Sequence, residues 1–189
     1  MTQPMPMTKR PREALILHIE LQDITPPIWR RFAVPRNVTL GRLHHVIQIV
    51  MGWVDYHLHD FEIAGKRYSA PDPEDLSIIP ETRLRLLKAL GAEGTFTYLY
   101  DFGDDWYHRI KVEDIVPADA YAQAFYCIEG ANACPPEDVG GPHGYEVFLA
   151  ALANRRHPEH RLRTQWYGRT FDISAFDRES VNQRLKQFR

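Results

Sequence analysis

The feature that most constrains this chain is the alternation in Ala14 to Leu21, closed a few residues later by Thr25-Pro26-Pro27. Side chains of a strand point to opposite faces in turn, so Leu15, Leu17, Ile19 and Leu21 share one apolar face. Neither proline can donate to a sheet ladder, which makes the proline pair a turn. Trp29 to Val34 then reads as a second, antiparallel strand. Thr39 is placed to cap a helix, and Leu40, Leu43, Ile47, Val50 and Met51 recur at helical spacing up to Gly52. Gly52 is suited to end it. A hairpin followed by an amphipathic helix already demands a layer of helix on sheet.

The rest of the chain extends that sheet. Leu58 to Ala64 reads as a short strand, with Gly65-Lys66 turning into Arg67-Tyr68. Ser69 to Pro80 reads as a surface loop, rich in proline and carrying Asp72, Glu74 and Asp75. Leu84 to Leu90 is a short helical turn broken by Gly91 and Gly94. Thr95 to Tyr100 is a strand of Thr, Phe and Tyr, and Gly103-Asp104 a hairpin turn into Trp106 to Val112. Beyond Pro117 the pattern is irregular, then helical over 145–154, 159–166 and 178–188. The expected fold is α+β. Its core is a β-grasp, the ubiquitin-like arrangement of a mixed sheet crossed by one helix, with an added hairpin strand and a C-terminal helical extension. An α+β sandwich of another topology is the alternative. The domain reading is a tail over 1–13 and one domain over 14–189, with its core at 14–116 and the extension at 117–189.

Composition matters at three points. A 44 % hydrophobic content is enough for a core in 189 residues. No apolar run is long enough for a spanning helix, and the N-terminal segment has no signal-like stretch, so a cytoplasmic protein that avoids membranes is expected. The net charge of −2 hides a division into +4 over 1–54, −11 over 55–146 and +5 over 147–189. An acidic middle favours cations or basic partners; mutual neutralisation of the parts is the bland alternative.

Six motifs in order then identify a family: Pro26-Pro27-Ile28-Trp29-Arg30-Arg31, Thr39-Leu40-Gly41-Arg42-Leu43-His44, Met51-Gly52-Trp53, His57-Leu58-His59, the stretch Tyr100 to Trp106, and the stretch Cys134 to Tyr145. Together they resemble the plasmid pRiA4b ORF-3-like family over roughly Ala14 to Leu152, with a weaker echo in 171–185. The resemblance implies a cytoplasmic protein found on plasmids, mobile elements and chromosomes, and carries no established activity with it. Relatives often have a further cysteine where this chain has Val139. No serine here has the arginine surroundings of a serine recombinase.

The acidic motifs supply a candidate functional cluster of Asp101, Asp104, Asp105, Trp106, His108, Glu137 and Asp138. A divalent metal, zinc or else manganese or magnesium, is the candidate cofactor. Its candidate ligands are His57, His59, Asp104, His108, Cys127 and Cys134, since imidazole and thiolate suit zinc and carboxylates suit the harder ions. Cys127 and Cys134 are too far apart for a zinc knuckle. His57 and His59 are spaced to share a strand face. Asp104 and His108 are candidates to pair. The amides at the start of the helix after Gly140-Gly141 are suited to hold Glu137 or Asp138 internally or, alternatively, an anion from outside. Arg155, Arg156, Arg161 and Arg163, interleaved with Trp166 and Tyr167, have the composition of a nucleic-acid surface. Alternatively, Leu162 and Trp166 anchor that helix in the core. The favoured function is an interaction or adaptor domain whose acidic face binds another protein. The alternatives are a metal-dependent enzyme and an accessory nucleic-acid binder.

Overall fold

The computed structural model describes residues 12–71 and 75–188; Asp72, Glu74 and all but the last two residues of the tail expected over 1–13 lie outside them. The first strand, β1, is Glu13–Leu21, and β2 is Trp29–Pro35. Helix α1 is Leu40–Met51. Strands β3 (His59–Ile63), β4 (Lys66–Ser69) and β5 (Ile79–Pro80) come next, then the short α2 (Leu86–Leu90). The hairpin β6 (Thr95–Tyr100) and β7 (Trp106–Pro117) leads through one 3-10 turn to β8 (Tyr126–Ala131). Helices α3 (Gly141–Ala153), α4 (His160–Tyr167) and α5 (Arg178–Gln187) complete the chain.

These strands form one mixed sheet in the order β5-β4-β3-β6-β7-β1-β2-β8. The α+β class is as expected, but the β-grasp topology is not confirmed. β1 is antiparallel to both its neighbours, β2 and β7, and the parallel pair is the two-residue contact of β4 with β5. Element order and length do not decide which strands pair, and here the closing hairpin enters beside β1.

Local signals were followed closely along the first half. Thr39 accepts a hydrogen bond from the amide of Arg42 at 3.3 Å, and Gly52 closes α1 at φ 111°. Its buried side chains, among them Leu43, Ile47 and Val50, meet Leu15, Leu17 and Ile19 in the main core. Burying such side chains is worth about 1.5–3 kcal/mol each.

The second half departs from expectation. β7 runs on to Pro117, and Tyr126–Ala131, expected to be irregular, is an edge strand paired with β2. Its alternation is cut by Glu129-Gly130. Gly130 is there because a Cβ would come 2.7 Å from Cδ of Arg30. The open edge is covered by α5: Asn182 accepts from the amide of Cys127 at 2.8 Å and donates to its carbonyl at 2.9 Å. One side chain thereby satisfies both backbone groups of an edge residue. On α4, Leu162 is exposed and Trp166 half-exposed with an edge against Phe148, so neither anchors the core as the alternative reading had it. No helix among the described residues is long and apolar enough to cross a membrane.

Candidate functional site

The first acidic motif folds on its own carboxylates. Asp101 and Asp105 take left-handed backbone at φ 59° and 56°. Oδ1 of Asp101 accepts from the amides of Gly103 (2.9 Å) and Asp104 (3.3 Å). The turn therefore spans Asp101 to Asp105, wider than a two-residue turn at Gly103-Asp104, because an Asx side chain replaces a backbone partner.

The second motif docks onto it. Oδ2 of Asp104 accepts from the amide of Gly140 at 3.0 Å, so the start of α3 is held by Asp104 and not by Glu137 or Asp138. Glu137 turns instead to the loop after α1. Its Oε1 accepts from the amide of Val54 (3.0 Å) and the hydroxyl of Tyr100 (3.1 Å). Trp53 donates through Nε1 to the Pro135 carbonyl at 3.0 Å. Burial and the neighbouring Glu137 raise the Tyr100 hydroxyl well above its ordinary pKa, and burial likewise raises the Glu137 carboxyl.

Between the motifs sits His57. Its Nε2 lies 3.2 Å from Asp138 Oδ1, 3.5 Å from Asp101 Oδ2 and 3.9 Å from Glu137 Oε2. Those are ion-pair distances, yet the nitrogen is withdrawn from solvent and makes no aligned hydrogen bond. The ring nitrogen lies within 4 Å of three carboxylates and is bonded to none of them. His57, Asp101 and Asp138 each offer a ligand atom within 4.8 Å of the others, as a metal site requires. Ligands about 2.1 Å from an ion sit about 3.0–3.4 Å apart in octahedral or tetrahedral geometry.

Other candidates fall elsewhere. His59 does not share a site with His57. It lies on the core side, stacked on His44 with ring centroids 3.5 Å apart, and its Nε2 meets Glu81 at 3.0 Å. His57 precedes β3, so strand alternation does not govern it. Trp106 and His108 follow the inward face of β7 and are fully buried, while Tyr107 faces out. His108 is bonded through Nδ1 to the Tyr98 carbonyl at 3.2 Å and has no pairing with Asp104. Burial depresses its pKa to about 4. Asp105 is exposed at the end of the turn. Burial pushes the Cys127 thiol up to about 11 and Cys134 higher still, and among the described residues neither joins a metal-ligand group. Arg155, Arg156 and Arg161 are exposed, whereas Arg163 is taken by Glu159 at 2.9 Å and the Val139 carbonyl at 3.4 Å.

Sequence reasoning missed a second polar cluster under α1. His44 bonds Tyr98 Oη through Nδ1 (2.8 Å) and Asp55 through Nε2 (2.9 Å), with His45 3.4 Å from the same carboxylate. Burial, then the stacked His59, hold His44 down to about 3. One signal was available: His44 falls on the stripe of Leu40, Leu43 and Ile47.

Comparison with known proteins bears directly on this architecture. A family model described as plasmid pRiA4b ORF-3-like protein matches residues 13–180. The chain belongs to the plasmid pRiA4b ORF-3-like family. That span takes in both acidic motifs, the His57 loop and most of the helical extension. The uncharacterized protein y4hQ of Sinorhizobium fredii is 39 % identical over 170 residues, covering 88 % of this chain and 87 % of the relative. The crystal structure of MM3350, a protein of unknown function from Methanosarcina mazei Go1, superposes with a TM-score of 0.83 at 35 % identity. It covers 90 % of this chain and 98 % of that one. The fold of this chain is thus shared with MM3350.

Proposed function

We propose that this protein binds one divalent cation between its acidic motifs, with His57, Asp101 and Asp138 as ligands, and that the bound ion is the centre of its activity. The observation that carries this is the solvent-withdrawn Nε2 of His57, unbonded although carboxylates lie 3.2 and 3.5 Å away. One imidazole with carboxylate oxygens and no thiolate is a hard set, which favours Mn²⁺ or Mg²⁺ over Zn²⁺. Such an ion would supply Lewis-acid chemistry, so a metal-dependent enzyme is the activity class this geometry favours. The family's name supports carriage on plasmids as part of the same reading.

The test is titration calorimetry of untagged protein with Mn²⁺, alongside thermal unfolding. Binding of about one equivalent and a higher Tm are expected, because an ion that binds the native state alone stabilises it. His57→Ala and Asp138→Asn should each weaken binding at least about tenfold. Wild-type protein that neither binds nor gains stability with Mn²⁺, Mg²⁺ or Zn²⁺ would refute the site.

A specific observation favours a second reading, the acidic adaptor face. Val54, Tyr56, Leu58 and Phe102 are 52, 76, 66 and 43 % exposed and lie on the two loops that carry His57 and Asp101. Apolar side chains around carboxylates suit a basic protein segment. An Arg- and Lys-rich peptide that binds wild type but not Tyr56→Ala or Asp105→Asn, with chelator present, supports that reading. Equal binding by all three opposes it.

A further inference from the structure

A sizeable cavity lies far from His57, at the other end of β7. Twelve residues of strand separate the two places, roughly 36 Å at the usual rise. The cavity measures about 1220 Å³ and is framed by the start of β1, the ends of β2 and β7, and α2. Ligand sites are commonly about 300–1,000 Å³, so a molecule of nucleotide size fits.

Its chemistry is basic. Arg12, Arg36, Arg85 and Lys88 line it against Glu13 and Asp119. Arg36 is neutralised by Glu13 at 2.6 Å. Among the described residues, Arg12, Arg85 and Lys88 have no carboxylate in ion-pair range. Three cations around one opening, with no carboxylate partner among the described residues, attract an anion.

The frame that carries them is fixed by backbone bonds. The amide of Ala118 donates to the Arg12 carbonyl (2.9 Å) and that of Arg36 to the Glu13 carbonyl (3.0 Å). Arg85 bridges to Thr39, and the amide of Leu86 donates to the Val38 carbonyl at 2.9 Å. The remaining wall includes half-buried Leu87 and Tyr121, whose ring stacks on Tyr126 with centroids 5.3 Å apart. A wall that offers an aromatic face and an apolar surface beside cations is suited to a ligand with a planar body and a polyanionic tail.

We propose that this cavity binds a nucleotide-type organic phosphate, with Arg12, Arg85 and Lys88 holding the phosphates and Tyr121 and Leu87 receiving the body. The site is independent of the His57 cluster. The experiment is calorimetric titration of the full chain with ATP, ADP, pyrophosphate and adenosine at low salt, in EDTA so that no metal at His57 contributes. ATP and ADP should bind, pyrophosphate more weakly, and adenosine least. The double variant Arg85→Ala/Lys88→Ala should weaken ATP at least about tenfold, with an unchanged Tm as both side chains are exposed. Arg155→Ala/Arg156→Ala should leave binding as in wild type. No binding of ATP or ADP at millimolar concentration would overturn the proposal. So would equal affinity in Arg85→Ala/Lys88→Ala, or a single-stranded oligonucleotide binding where mononucleotides do not.

Discussion

Asp104 reaches across 36 positions of chain to accept a 3.0 Å hydrogen bond from the amide of Gly140. That bond ties the turn of the β6–β7 hairpin to the residue that caps α3, a helix that begins in the other acidic motif. It also explains the glycine beside it. A Cβ on Gly141 would lie 2.5 Å from the Asp104 carbonyl oxygen, and the backbone there has φ +68°.

Gly141→Ala should therefore destabilise the protein by about 1–3 kcal/mol or more, combining a steric clash with left-handed strain. Asp104→Ala should cost about 1 kcal/mol, as lost caps do, and Asp104→Asn less because an acceptor oxygen is kept. Urea unfolding of the three variants checks the order; Gly141→Ala as stable as wild type would contradict it.

Arg30 is a second organising group. Buried in the core region, it donates to the carbonyls of Val50 (2.9 Å), Trp29 (2.8 Å), Ala131 (2.7 Å) and Asn132 (2.9 Å). Its guanidinium also lies 4.1 Å from the Phe176 ring centroid. A lysine ammonium cannot present donors in that planar fork, so Arg30→Lys leaves buried carbonyls unpaired. A loss of about 2–4 kcal/mol in denaturant unfolding is expected.

Acid should weaken the fold before carboxylates dominate. His108 titrates near 4 and His44 near 3 in the folded protein, against 6.5 for each as its ordinary value. The unfolded chain binds these protons first, so stability is full above about pH 6.5 and falls as pH drops toward 4. His108 alone accounts for at most about 3 kcal/mol over that window. Unfolding free energies at pH 7 and 4.5 measure the slope, and His108→Leu should flatten it. NMR should show both rings neutral at pH 5; a protonated His108 there would rule out the mechanism.

The thiols should be inert. With Cys127 at about 11 and Cys134 raised further by burial, almost no thiolate exists at pH 8. A disulfide-exchange reagent should label neither cysteine in native protein and both in guanidinium. Rapid native labelling of Cys134 would show that its pocket opens.

Residues that obey near-neighbour rules were legible in the chain itself. Thr39 and Gly52 bound α1, Thr95 to Tyr100 is β6, and strand alternation puts Trp106 and Tyr107 on opposite faces of β7. Each depends on contacts within about one helical turn or one strand. The family was also legible, because its motifs are local strings.

Tertiary structure decided the rest. It made Tyr126–Ala131 a strand by giving it β2 as a partner and Asn182 as a cover. It sent His59 into the core against His44, and left His57 alone among Asp101, Glu137 and Asp138. It also set β1 between β2 and β7. Composition and periodicity describe what each segment prefers, but pairings between distant segments follow from how the whole chain buries its apolar faces. The two acidic motifs stand out in the sequence as strings of carboxylates, aromatics and glycines. Which of their carboxylates cap backbone, and which face the lone imidazole, was settled only when the chain closed on itself.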